Sequence, residues 1–270
     1  MARTIVLQQV GDGRAGCLLT VEFPGDSTGA GLAATLAAAE SATPPDGRHQ
    51  VWRLDPVTSV ELDGGLPDHA TLAGAAAAEF LRHRPAGAGP LTVVGYCSAA
   101  LFAGHLTRAL AAAGSPPDAL VLVAATVPDE RTAWREHATL LRKLTGEPAP
   151  TPPAGPADPH VIVHRWRAEL TGHARAFVDA QGFPPAEAET AAQEIAGRYL
   201  AWLWFLLDAA RAGEARVSCP VTVLADDAEA IARLPHRPAT AAGQPAPGPT
   251  TARQHSAAGR GAGADDGGTA

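Results

Sequence analysis

Apolar residues recur along this chain with two different spacings, and the sequence divides where one gives way to the other. Compact apolar or β-branched runs occur at Thr4–Val10, Cys17–Phe23, Gln50–Leu54, Leu91–Val94, Ala119–Ala124 and Val221–Ala225. Runs of this length read as strands, and the near-continuous ones as strands buried on both faces. Between them, apolar residues three and four apart predict helices over residues 31–40 and 68–83, the second with Leu72, Ala76, Phe80 and Leu81 on one face. The Gly11-Asp12-Gly13 turn predicts that the first two strands pair as a hairpin, and the residues after Leu54 read as loop. Buried strands separated by helices predict a mostly parallel sheet flanked by helices, an α/β architecture.

The interval between Ala124 and Val221 is far longer than one crossover helix requires. Its pattern predicts helices at Glu130–Leu144, His160–Ala180 and Pro185–Ala212, with a proline-rich loop at Glu147–Pro159. An insertion over about residues 128–216 is expected to form a helical lid above a site; a packed helical subdomain that never moves is the alternative. Residues 235–270 are dominated by Pro, Ala, Gly, Thr and Gln and are expected to be a disordered tail, leaving residues 1–234 as the folded domain.

Composition narrows the function. A chain of 270 residues that is 46% hydrophobic and 18% charged can bury a sizeable core. A net charge of -7 with no basic run argues against a nucleic-acid partner. Cys17, Cys97 and Cys219 are far apart and lack CxxC spacing, which predicts free thiols in a reducing cytoplasm. The N-terminal segment has no signal-peptide core, and the apolar cluster Trp202–Leu207 is short and bounded by Arg198 and Asp208, so no association with a membrane is expected.

The chemistry is expected in Pro90–Leu110, PLTVVGYCSAALFAGHLTRAL. An apolar strand meets the turn Gly95-Tyr96-Cys97-Ser98-Ala99, and a helix with Leu101, Leu106 and Leu110 follows at once. Strand, sharp turn and helix in that order are the setting of a nucleophile elbow. The central residue is held there in a strained backbone, so the positions two before and two after it must be small; Gly95 and Ala99 satisfy this around Cys97. The thiol would stand at a helix N-terminus, where N–H groups and the dipole favour a thiolate. A cysteine after an apolar strand is also the ordinary signature of a small buried hydrophobe.

The order FPGDS, GYCSA, PPDALVLVAATVPD, a long helical insertion and SCPVTVLADD resembles the type II thioesterases of polyketide and nonribosomal peptide assembly, over roughly residues 17–227. The resemblance implies an α/β-hydrolase fold and acyl chemistry on carrier-protein thioesters. The cysteine at 97, where the family usually has serine, resembles the branch of acyl and aminoacyl shuttle enzymes. By the same resemblance, an oxyanion hole would come from the turn at Pro24, Gly25 and Asp26 together with the Ser98 N–H. Family members commonly carry aspartate at the end of the strand where this chain has Ala124. That leaves Asp129 as a poor substitute and Asp226 or Asp227 after the next strand, with Asp227 preferred. For the base, His236 follows that strand too closely and His255 is better spaced; His137, His160, His164 and His173 of the insertion read as surface residues. If the tail departs from the family's C-terminus, the family histidine is absent.

A cysteine elbow favours transfer over release, because an acyl group moved from a pantetheine thiol to Cys97 remains a thioester. No cofactor beyond the carrier's own phosphopantetheine is implied. The partner would be an acyl or peptidyl carrier protein, docked on basic clusters at Arg131, Arg135, Arg142 and Lys143 or at Arg165 and Arg167; ordinary helix surface charge is the alternative for each of these residues. Trp134, Trp166, Trp202 and Trp204 could line an acyl pocket or simply pack. The competing readings are a cysteine hydrolase of small esters or lactones and a hydrolase-fold binding module without turnover.

Overall fold

The structure is a computed structural model and describes residues 3–23, 31–63, 65–85, 87–146 and 158–224. Within them, six strands, β1 (Val6–Gly11), β2 (Gly16–Val21), β3 (His49–Asp55), β4 (Leu91–Tyr96), β5 (Ala119–Val123) and β6 (Val221–Leu224), form one sheet in the order β1-β3-β2-β4-β5-β6. All neighbouring pairs are parallel except β1 with β3. Four helices accompany the sheet: α1 (Leu32–Ser41), α2 (Pro56–Asp63), α3 (His69–His83) and α4 (Ala100–Ala112). This is the α/β architecture expected from the sequence, a mostly parallel sheet flanked by helices.

The expected hairpin between the first two strands does not form, because β3 lies between them. All six residues of β2 are buried, and it pairs in parallel with β3 on one side and β4 on the other. β1 instead exposes Gln8 and Gln9, as an edge strand does. The Gly11–Ala15 connection is drawn against the start of β3 instead of turning back: the N–H groups of Arg14 and Ala15 both donate to the Arg48 carbonyl at 2.8 Å. A Cβ on Gly13 would lie 2.2 Å from that carbonyl oxygen, so only glycine allows the approach. The stretch after Leu54, read as loop, is helix α2.

Alternation sorts the strand side chains onto two faces. Leu18, Val51, Val94, Val121 and Val123 face α1 with its Leu32, Ala33 and Leu36. Leu19, Val21, Trp52, Leu54, Leu91, Val93 and Leu120 join the larger core, which α3 and α4 enter through Phe80, Phe102 and Leu106.

Among the described residues, three helices run between β5 and β6: α5 (Glu130–Thr145), α6 (Pro159–Ala180) and α7 (Pro185–Ala212), matching the expected boundaries to within a residue. Helix α7 packs along α6 and also touches α2, α3 and α5, so the insertion shares the main core. The His69 N–H donates to Asp208 Oδ2 at 2.5 Å, and the His69 ring nitrogen Nδ1 meets the same oxygen, fastening the start of α3 to α7. No helix among the described residues is long and apolar enough to cross a membrane.

The insertion has its own aromatic centre. The fully buried Trp166 stacks on His137 with ring centroids 4.6 Å apart and meets Trp134 edge-on at 4.8 Å. Burial, with lesser contributions from Arg165 and His173, lowers the His137 pKa to about 4. Glu169 Oε2 stands 3.5 Å from Nε2 without making a hydrogen bond, so burial outweighs this carboxylate. The imidazole is therefore neutral when folded and takes up a proton more readily when unfolded. The resulting stabilisation is complete above about pH 6.5 and is lost as the pH falls towards 4. Thermal unfolding is expected to show a larger fall in Tm between pH 7 and pH 4.5 for the wild type than for His137→Phe; equal falls would contradict this origin.

Candidate active site

Cys97 sits where β4 ends, in a short 3-10 turn (Cys97–Ala99) that runs directly into α4. Its φ is 51°, in the left-handed region that L-residues rarely adopt. Two close packings impose that turn. A Cβ on Gly95 would lie 2.6 Å from the Ala103 Cβ and 3.0 Å from the Ala100 Cα, and Ala99 is completely buried. The small residues expected at these two positions are thus required by the approach of α4 to β4.

The thiol is half-buried rather than sealed in the core. Its sulfur lies 3.8 Å from the Ser98 hydroxyl and 3.7 Å from that of Thr126, and those two hydroxyls are 3.1 Å apart. The Thr126 N–H also donates to the Cys97 carbonyl at 3.3 Å. Thr126 was not singled out by the sequence; its place beside the thiol follows from the pairing of β4 with β5, which no local pattern reveals. It is delivered there through Ala124, whose φ of 48° turns the chain sharply after β5 and whose N–H donates to the Leu224 carbonyl at 2.9 Å.

The other two thiols are in different surroundings. Burial raises the pKa of Cys17, opposed in part by Arg84, and its sulfur is 3.6 Å from Gln50 Oε1. Burial likewise raises that of Cys219.

Gly25 and Asp26 of the expected oxyanion turn, with Pro24, lie outside the described residues, as do Asp226, Asp227, His236 and His255. The residues on either side of that turn are well fixed. Glu22 is buried, its Oε2 accepts from the Ala33 N–H at 3.1 Å, and its Oε1 is 3.0 Å from Arg53 Nε. One carboxylate thereby ties the end of β2 to the start of α1. Phe23, the last described residue before the turn, meets Trp202 and Phe205 of α7 edge-on at 4.8 and 5.0 Å. The insertion consequently packs against the strand end from which the turn departs.

Asp129 is the N-cap of α5. Its carboxylate accepts from the Thr132 hydroxyl at 2.6 Å and from the Thr132 N–H at 2.7 Å, and these hydrogen bonds lower its pKa. Among the insertion's histidines, His137 is in the tryptophan cluster, contrary to its reading as a surface residue, because its face of α5 packs on α6. His160 lies on Trp204 at 5.2 Å, while His164 is exposed and His173 half-buried. Trp166 is core, and Trp204 is buried with its indole N–H donating to the Pro67 carbonyl at 2.9 Å; Trp134 and Trp202 are half-buried. The side chains of Arg131, Arg135, Arg142, Lys143, Arg165 and Arg167 are exposed on α5 and α6.

Two substitutions separate packing from capping here. Gly95→Ala is expected to cost about 1–3 kcal/mol by overpacking, with part of the loss recovered by adding Ala103→Gly, as read by chemical unfolding; no destabilisation would contradict the packing account. Asp129→Ala is expected to cost about 1 kcal/mol through the lost cap and to leave the Cys97 turn intact, shown by unchanged alkylation of Cys97.

The thioesterase domain family matches residues 56–186, just under half of the chain. No curated protein matches the sequence. Solved structures of related outline include the Vlm2 thioesterase domain with genetically encoded 2,3-diaminopropionic acid bound with a dodecadepsipeptide. It is 13% identical, with a TM-score of 0.41 over 86% of this chain and 81% of that one. YbtT, a type II thioesterase from the yersiniabactin NRPS/PKS biosynthetic pathway, is 15% identical, with a TM-score of 0.45 over 81% and 77%. A holo four-domain nonribosomal peptide synthetase bound to AMP and glycine is 15% identical, with a TM-score of 0.49 over 82% of this chain and 16% of that one. The span that the family matches holds β4, the Cys97 turn, β5 and helices α5 and α6, so this chain is similar to thioesterase domains in the part that presents the Cys97 thiol.

Proposed function

We propose that this chain is an enzyme that takes acyl groups from the phosphopantetheine thioesters of an acyl or peptidyl carrier protein onto Cys97. It then passes them on as an acyl- or aminoacyltransferase or thioesterase of nonribosomal peptide or polyketide assembly in the cytoplasm. The observation that carries this reading is a half-buried thiol on a left-handed turn at the junction of the central strand and its helix. A lone structural cysteine needs no such backbone, whereas a nucleophile gains from being lifted clear of the sheet.

In the first step the Cys97 sulfur attacks the acyl carbonyl carbon, the bond from that carbon to the pantetheine sulfur breaks, and the thiol proton passes to the departing thiol. One thioester replaces another, so little free energy is lost and the acyl group stays ready for a second thiol, an amine or water. The oxyanion of the tetrahedral intermediate is assigned to the N–H of Ser98 and to the turn at Gly25 and Asp26. Thr126 and Ser98 supply hydroxyls that orient the sulfur. Asp227 is proposed as the acid and His255 as the base that moves the proton between thiols. The insertion, packed on Phe23 beside that turn, is proposed as the lid. The exposed arginines and lysine of α5 and α6 are proposed to meet an acidic carrier. No resident cofactor is needed, because the reactive arm arrives with the carrier.

Intact-protein mass spectrometry tests this directly. Incubation with an acyl-loaded carrier protein is expected to add the acyl mass to the wild type and not to Cys97→Ala, and the label is expected to move to a second carrier. Label lost as free acid would assign hydrolysis, and no Cys97-dependent label would refute the proposal. His255→Ala is expected to slow loading at least tenfold; an unchanged rate would remove His255 from the mechanism.

A further inference from the structure

Six large hydrophobic side chains are exposed among the described residues, and three of them share one groove: Val127 at 67%, Val221 at 47% and Val223 at 66%. Val221 and Val223 project from β6 on the same sheet face as Leu120 and Leu122, their register partners on β5. Helix α4 supplies the opposite wall through Leu101 and Gly104, and a Cβ on Gly104 would lie 3.5 Å from the Ala215 Cβ that closes the groove. The cavity is about 320 Å³, at the small end of the roughly 300–1,000 Å³ of small-molecule sites.

Its position relative to the thiol gives it a use. Leu101 and Gly104 belong to the first turns of α4, which begins directly after the Cys97–Ala99 turn, so the α4 wall starts beside that turn. At that end the groove is lined by Thr126, whose hydroxyl is 3.7 Å from the Cys97 sulfur. The lining is apolar elsewhere except at Glu214.

We propose that this groove holds the hydrocarbon chain of the acyl group carried on Cys97, making saturated chains of medium length the preferred cargo over acetyl or polar acyl groups. The assignment rests on Cys97 being the acyl carrier. Each added methylene that enters the groove leaves water, which strengthens binding about fourfold until the groove is filled.

The test uses the full chain with acetyl- and octanoyl-pantetheine, following the adduct by intact mass. The wild type is expected to load octanoyl more than tenfold faster than acetyl. Val127→Asp and Val223→Asp, both at exposed positions, are expected to lower octanoyl loading at least tenfold and to leave acetyl loading within twofold. An octanoyl-to-acetyl ratio that does not respond overturns the groove assignment while the acetyl adduct upholds the role of Cys97. A fall in Tm of several degrees with unchanged selectivity assigns the groove to packing within this chain and also overturns it. If the wild type takes up neither group, the role of Cys97 and the groove assignment fail together.

Discussion

The structure depends on how closely α4 approaches β4. With glycine at 95 and alanines at 99, 100 and 103, the helix begins almost in contact with the strand it follows, and no room remains for an ordinary connection. The chain turns through a left-handed residue instead, and that residue is Cys97. Left-handed backbone costs an L-residue roughly 1–2 kcal/mol, so the core around the turn must supply it. Fully buried Val93, Val94, Phe102 and Leu106 on the two sides of the sheet do so.

Around this point the remaining elements act as supports. β5 lies beside β4 and, through the turn at Ala124, brings Thr126 to the sulfur. β2 lies on the other side and leads into Glu22 and Phe23, one clamped to α1 and Arg53, the other packed on α7. The insertion therefore packs, through α7, on the end of the strand next to β4 while sharing the main core. Its internal aromatic cluster, with a neutral histidine stacked on tryptophan, makes it a packed body rather than a loose appendage.

What the sequence disclosed follows the range of the forces involved. Helix ends were legible because they are local: Pro159 and Pro185 stand at first helical turns, and Asp68, Asp129 and Asp158 cap α3, α5 and α6. The sharp turn at Cys97 was legible for the same reason, since its small residues lie within two positions of the cysteine. Strand order was not: the partners of β1 lie 40 to 49 residues away, and only the full burial of β2 shows that it needs a parallel neighbour on each side. Helix α2 was hidden by its β-branched residues Val57, Thr58 and Val60, which suit it to extended chain until Asp55 accepts hydrogen bonds from the backbone and side chain of Thr58. Thr126 acquires meaning only through the pairing of β4 and β5, and Asp129, weighed as an acid, is occupied in capping. Gly25 and Asp26, expected for the oxyanion, and Asp227 and His255 fall outside the described residues.

Peptide-resolved iodoacetamide labelling of the three cysteines, with and without prior incubation with an acyl-pantetheine thioester, tests most directly whether the fold is built to present one sulfur. Cys97 is expected to react well ahead of Cys219 and of the fully buried Cys17, and the thioester is expected to protect Cys97 alone. Labelling of Cys219 at the same rate, or a Cys97 rate indifferent to the thioester, would contradict the account.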